Sequence, residues 1–507
     1  MQYRNRAALR RCGILFVLLA VAGPAVAVGP SVPSYGSHQL AQAAASTPVG
    51  GALRLEDVQV ADTGETTTFA LERFEVFASD AEITIHGDGG QATVLPAPKN
   101  SYFRGMVDGE PGSRVFLAVL ANATVQGIVT RAGDTYFIGG DEAPVKAAGL
   151  PLAMRRVEPS LLKASRGEGF SCSNEKLPQS PHPLENLILG GSTSAAPNAS
   201  FNTPVTGPVA APVTAVQPAF TARVAIETDF EFYSLFNNAT TATNYIGNLL
   251  GYSSTIYVNE INTSLLVSSV SLWTTASDPW TQTDTFCGLM EFGKYWNQNK
   301  TGVSRTTAHF MSGKNLGGGI AWVGVLCGGA FSTGAAASCP GLGAESTAWG
   351  GGYGFTASLT GQFNVNSPTV MWDIMAVSHE IGHNFNSPHS HCYNGIGNAS
   401  PIDQCRSGEV DSHGACYSGS PVLPGPAGAH SGTIMSYCHL VNGSFGDIGL
   451  SFGTNFAFGV QPGREASRMS SYVVSTAGGN PSCLAFTSGA SVIFNDGFET
   501  GTLNAWQ

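Results

Sequence analysis

The chain has 507 residues, room for two or three domains, and only 12 % of them are charged, 24 Lys and Arg against 35 Asp and Glu. The net charge of −11 leaves no large basic surface, which excludes nucleic acid and anionic membrane as expected partners. A hydrophobic content of 43 % excludes wholesale disorder.

The N-terminus sets the expected compartment. Arg4, Arg6, Arg10 and Arg11 precede an apolar run over 13–22, followed by Ala25-Val26-Ala27. A basic region, a hydrophobic region and a small-x-small site predict a signal peptide over 1–27. The run is shorter than the roughly 20 residues that span a bilayer, and no other stretch is long and apolar enough, so no membrane anchor is expected. The mature protein is expected to be secreted, extracellular and able to hold disulfides.

Residues 28–189 read as a β-rich domain. Alternating runs at 69–77, 81–86 and 113–119 predict strands, separated by turn signals at Asp88-Gly89 and Asp108-Gly109. Residues 190–220 contain no Lys, Arg, Asp or Glu and are rich in Ser, Thr, Ala and Pro, a flexible-linker composition exposed to proteases. Over 221–485 strand and helix patterns interleave: a strand at 221–227, a helix at 230–250, then strands around 254–258 and 264–273. The expected fold class is α/β. Residues 486–507 form a C-terminal tail.

Seven of the eleven histidines lie between 379 and 439, and among them is His379-Glu380-Ile381-Gly382-His383. Ser367 as N-cap and Pro368 at the first position predict a helix ahead of it. On that helix Val370, Ile374, Val377, Ile381 and Phe385 fall within roughly 80° of one another. His379 and His383 land on the opposite side, one turn apart, where both can reach one ion. Asn386 is suited to a left-handed residue that ends the helix and swings His389 towards the same point. Three imidazoles with an open fourth position compose a catalytic zinc site (Zn2+, one ion). Glu380 is then expected to act as general base on the zinc-bound water and to pass the proton to the leaving amine. His391 is a rival third ligand with a longer spacing. His413, His430 and His439 read as polar loop residues.

The segment from His379 to His389 resembles the zinc signature of metzincin metalloproteases, and Ser431-Gly-Thr-Ile-Met435-Ser-Tyr437 resembles their methionine-containing turn. His383-Asn-Phe-Asn-Ser-Pro-His389 and Gly319-Ile-Ala-Trp-Val-Gly-Val-Leu-Cys327 are similar to the adamalysin, or reprolysin, branch. Tyr102-Phe-Arg-Gly-Met-Val-Asp-Gly-Glu-Pro-Gly-Ser-Arg-Val115 is similar to that branch's prodomain. The resemblance implies a metzincin-type catalytic domain, a mixed twisted sheet with long helices and zinc in the cleft, preceded by a β-rich prodomain. It implies a cleft strand near 319–327 that pairs with substrate, a structural role for Met435, and peptide-bond hydrolysis of protein or peptide substrates. Three departures stand out. Asn386 replaces the usual Gly, Ser390 follows the third His where Asp is usual, and Tyr437 is shared with the astacin and serralysin branches, where it stands at the zinc or the oxyanion.

Cysteine arithmetic adds an expectation of latency. Cys12 falls in the signal peptide, and eight cysteines lie beyond residue 221, an even set whose pairing is open among 105 arrangements. Cys172 is left over ahead of the linker. By resemblance to cysteine switches, its thiolate is expected to hold the fourth zinc position until the pro-segment leaves. The expected assembly is a monomer. Calcium (Ca2+) is compatible with such a protein, but no motif indicates it. The alternative reading is a non-catalytic secreted zinc-binding adhesion module; a third is a zinc hydrolase acting on another amide.

Overall fold

The computed structural model describes residues 31–33, 37–139, 152–158, 161, 171–177, 218–334, 339–363, 370–411 and 413–487. The expected signal peptide, nearly all of the linker, the Ser367-Pro368 helix start and the tail beyond 487 lie outside the described residues.

The N-terminal strands are β1 (Ser31–Pro33), β2 (Ala52–Val60), β3 (Thr66–Phe74), β4 (Phe77–His86), β5 (Ala92–Pro96), β6 (Ser101–Val107), β7 (Arg114–Val119), β8 (Val125–Arg131), β9 (Asp134–Ile138) and β10 (Ala153–Arg156), with helix α1 (Ser37–Ser46) between the first two. Their order is β1-β2-β10-β9-β8-β7-β6-β3, and β3 pairs back onto β2, so the sheet closes into a barrel. The two-residue period of the strands divides their side chains between two cores. From β7, Val115, Leu117 and Val119 enter the barrel with Leu53, Phe69 and Phe103. Phe116 and Ala118, between them, face outward into the core of the next layer.

The second layer contains β11 (Phe220–Thr228), α2 (Phe230–Ser234), α3 (Ala239–Ile261), β12 (Thr263–Trp273), α4 (Thr285–Asn299), β13 (Thr307–Met311), β14 (Gly319–Ala321), β15 (Tyr353–Thr356), α5 (Val370–Asn384), α6 (His439–Asn442), α7 (Arg464–Gly479) and β16 (Ala485–Phe486). Its sheet runs β14-β15-β13-β11-β12, parallel along this path except for the edge strand β14; β16 pairs antiparallel with the start of β11. Val224 and Ile226 of β11 face the core shared with α3 and α5, whereas Ala225 faces Leu289, Phe292 and Trp296 of α4. Helices therefore cover both faces, and the architecture is the mixed α/β one expected.

Three details differ from the sequence reading. The helix expected at 230–250 is two helices: Asn237 has φ +50°, and Asn238 restarts the chain as N-cap of α3 by accepting from the Thr241 N–H at 3.0 Å. Residues 254–258 are the interior of α3, not a strand. Their β-branched content is outweighed by burial all round the helix, where the Ser254 hydroxyl accepts from the Leu265 N–H at 3.0 Å. The hairpin β4–β5, read as part of the β-rich domain, leaves the barrel and extends the second sheet, β4 pairing in parallel with β12.

That hairpin and α3 join the two layers. Phe116 packs edge-on against Tyr252, ring centroids 6.1 Å apart. Gly247 and Gly251 of α3 make the approach feasible, since a Cβ would lie 2.4 Å from the Tyr102 hydroxyl and 2.7 Å from the Phe116 ring. Arg114 reaches across to the Glu260 carboxylate at 2.9 Å and the Leu450 carbonyl at 2.7 Å.

Candidate metal centre

α5 carries the motif at its C-terminal end. Val370, Ile374, Val377, Ile381 and Phe385 are all buried in the core, as their shared face requires. The opposite side is buried as well, because the 431–437 turn and residues 171–174 cover it. The helix stops as the sequence implied. Asn386 has φ +74°, its N–H donates to the His383 carbonyl at 2.8 Å, and Arg468 holds its side-chain oxygen at 2.8 Å.

The chain beyond the turn brings His389 back beside His379 and His383, with ring centroids 5.1 and 4.7 Å away. Each ring is fixed through Nδ1. His379 donates to the Ile434 carbonyl at 2.8 Å, His383 to the Ser387 carbonyl at 2.7 Å, and His389 to the Glu409 carboxylate at 2.5 Å. Acceptors on the Nδ1 side make each ring the Nδ1–H tautomer, so that the Nε2 lone pair is aimed inward. The His379 and His383 Nε2 atoms lie 3.1 Å apart, and the His389 Nε2 is buried with no hydrogen-bond partner. One ligand atom from each of these three histidines and the Cys172 thiol lies within 4.8 Å of every other. Three imidazole nitrogens and a sulfur converging on one point match the donor chemistry of zinc.

Glu380 is fully buried beside the cluster. One carboxylate oxygen lies 3.5 Å from the Cys172 sulfur and the other has no partner, while burial pushes its carboxyl well above the usual range. Gly319 of β14 lets it sit there: a Cβ at that position would be 2.3 Å from the carboxylate. Met435 underlies α5, its sulfur 2.6 Å from where a Gly382 Cβ would stand, and its carbonyl accepts from the Ser390 N–H at 3.0 Å. The Tyr437 ring lies 4.7 Å from the His389 ring, and its hydroxyl donates to the Cys172 carbonyl at 2.7 Å.

Residues 171–174 lie along the cleft strand. The Ser171 and Ser173 N–H groups donate to the Gly317 and Gly319 carbonyls at 3.2 and 3.0 Å, in parallel register. The Asn174 side-chain oxygen accepts from the Ala321 N–H at 3.0 Å and from the Cys172 thiol at 3.1 Å. Of the segment 319–327 only Gly319–Ala321 is strand. A Cβ at Gly318 would strike the Ser171 carbonyl at 2.1 Å, so glycine is what admits a second backbone here.

His391 is not in the cluster. Its ring stacks behind His389 at 5.5 Å, and its Nε2 shares Glu409 at 2.9 Å. Buried Glu409 is held well below the usual carboxylate range, the two imidazoles outweighing the cost of burial. His413 and His430 bond locally, to Asp411 at 2.9 Å and the Ile448 carbonyl at 3.0 Å. His439 differs from the loop reading, being buried and stacked on Phe445 at 5.2 Å. Where the resemblance calls for Asp after the third His, the Ser390 hydroxyl donates instead to Glu465 of α7 at 2.5 Å. Sequence reasoning missed Glu409, Glu465 and Asn174; each is a lone polar residue in its own segment, and no spacing marks it.

Eight cysteines pair as Cys287–Cys339, Cys327–Cys483, Cys392–Cys416 and Cys405–Cys438, leaving Cys172 as the free cysteine among the described residues. Among those residues no helix is long and apolar enough to cross a membrane.

An α/β fold with a histidine-lined cleft and an underlying methionine turn agrees with the metzincin-type catalytic domain that the sequence resembles. Residues 220–442 match the family model described as metallo-peptidase family M12, of the reprolysin type, which supports a reprolysin-like metalloprotease domain over that part of the chain. Among solved structures it is similar to metalloproteinase-II from Bacteroides fragilis, at 10 % identity and a TM-score of 0.32, covering 74 % of this chain and 92 % of that one. A search of curated proteins gave no match.

Proposed function

We propose that the protein is a secreted zinc-dependent endopeptidase made as a latent precursor, with His379, His383 and His389 as metal ligands and Glu380 as general base. The observation that carries this reading is the convergence of three buried imidazoles, each with its Nδ1 already engaged, beside a buried carboxylate. Zinc, when bound, supplies a Lewis acid that polarises the scissile carbonyl and acidifies water. Glu380 takes the proton of the attacking water and delivers it to the leaving amine. Tyr437 is placed to donate to a carbonyl at the centre, as its hydroxyl does to that of Cys172, and so to stabilise the oxyanion. β14 is a sheet edge on which substrate would pair once residues 171–174 leave it.

Latency follows from the same contacts. Cys172 supplies the fourth donor in the precursor, and residues 171–174 cover the edge that substrate needs. Four disulfides and the 1–27 segment support export to an oxidising compartment.

Two variants test the reading. Glu380→Gln is expected to lower casein hydrolysis by at least about 100-fold, the scale of general base catalysis, while the protein still binds one zinc. Unchanged turnover would remove Glu380 from the mechanism. Full-length Cys172→Ala is expected to cleave a peptide substrate without prior processing, whereas the wild-type precursor stays inactive; equal inactivity of the two would end the switch hypothesis. Loss of all hydrolysis on chelation separates this reading from a non-catalytic adhesion module.

A further inference from the structure

His379 and His383 ride on a buried helix, and their Nδ1 atoms are held by backbone carbonyls. His389 has neither advantage. It lies past the end of α5, and its Nδ1 acceptor is the side chain of Glu409, 20 residues further on. Glu409 is wholly buried, one oxygen on His389 and the other on His391 at 2.9 Å, with the Arg406 guanidinium at 3.5 Å. No regular element carries it. Two disulfides bracket it instead: Cys405 is tied to Cys438, just beyond the methionine turn, and Cys416 to Cys392, just beyond His389.

Resting on the metallopeptidase reading above, we propose that Glu409 is a positioning residue for the third zinc ligand, held in place by the Cys392–Cys416 and Cys405–Cys438 disulfides. Its carboxylate fixes His389 as the Nδ1–H tautomer, orients the ring and makes Nε2 a stronger donor. His391, two residues on and stacked behind His389, is the second anchor that keeps the carboxylate in line. Zinc retention thereby depends on a loop that the two disulfides, together with the Ile402–Ser390 and Tyr417–His391 backbone hydrogen bonds, hold against the centre.

The test measures zinc affinity of the full-length precursor by competition with a colorimetric chelator, together with thermal unfolding of the zinc-free forms. Glu409→Ala is expected to lose about 10- to 100-fold in affinity, the usual cost of removing such a partner. Glu409→Gln, nearly isosteric, is expected to lose less, since its amide oxygen still accepts from Nδ1 and only the charge is gone. The double replacement Cys405→Ser with Cys438→Ser is expected to weaken zinc binding in the wild-type background and to add little to Glu409→Ala, because both act through one carboxylate. Wild-type affinity in Glu409→Ala, or losses that simply add, would overturn the proposal. A Glu409→Ala form that does not fold leaves the decision to Glu409→Gln: undiminished affinity there overturns it, and a measurable loss with unchanged zinc-free melting supports it. A wild-type precursor that takes up no zinc would count instead against the metallopeptidase reading itself.

Discussion

His309 shows how burial decides a side chain's chemistry apart from the metal centre. It sits at 0 % exposure in β13, its Nε2 bonded to the Thr356 hydroxyl at 2.9 Å, and burial lowers its pKa from the ordinary 6.5 to about 3. The unfolded chain therefore binds a proton between those values that the folded chain refuses. Stability from this group is complete above pH 6.5 and is lost as pH falls towards 3, on the order of 1.4 kcal/mol per pH unit. Buried Glu227, Asp229 and Asp373 act in the opposite sense, burial raising them to about 7, 6 and 6, so they take up protons more readily when folded. A comparison isolates His309: urea unfolding at pH 7, 6 and 5 is expected to give a shallower acid loss for His309→Gln than for wild type. Parallel curves would refute the assignment. His379, Glu380 and His383 were legible in sequence because one helix fixes their relation. Glu409 was not, since it lies 20 residues beyond His389 in a segment with no regular element, and its contact is set by tertiary packing rather than by spacing.

The end of α5 is the element on which the centre turns. At φ +74°, Asn386 occupies a conformation that costs an ordinary L-residue about 1–2 kcal/mol, and a β-branched one more. Asn386→Gly is expected to keep the turn and lose only the Arg468 bond to the side-chain oxygen, staying within about 1 kcal/mol of wild type by thermal unfolding. Asn386→Val is expected to lose about 2 kcal/mol or more and to weaken zinc binding, because His389 follows directly from this turn. Equal stability of the two variants would show that the turn tolerates any residue. Sequence pattern placed α5, β11 and β12 well, where apolar periodicity and turn residues agree. It failed inside α3, where a β-branched stretch is helical because the helix is enclosed by the sheet on one side and the barrel on the other.

The molecule as a whole is interlocked more deeply than a prodomain laid beside an enzyme. Residues 171–174 lie on one edge of the second sheet, and the β4–β5 hairpin extends the opposite edge through β12. His86 of that hairpin stacks on Trp273 at 4.1 Å, and Arg223 pairs with Asp80 at 2.9 Å. Cleavage confined to 190–217 is thus expected to leave both parts together, held by a sheet edge, an aromatic core and the Arg114–Glu260 pair. Size-exclusion chromatography of the nicked protein would show one peak containing two chains. Separation on nicking alone would mean the hairpin contributes little.

By itself the sequence determined the chemistry available and its local order: the zinc-binding residue types at helical spacing, a residue able to end the helix, an even set of cysteines with one apart, and strands of alternating character. Those are properties of neighbours along the chain, and short-range periodicity carries them. Tertiary structure alone decided which cysteines pair, that the β4–β5 hairpin belongs to the second sheet, that Glu465 reaches Ser390, and that Glu409 holds His389. Each is a contact between distant segments whose partner is fixed by packing and chain closure, and no period in the sequence records it.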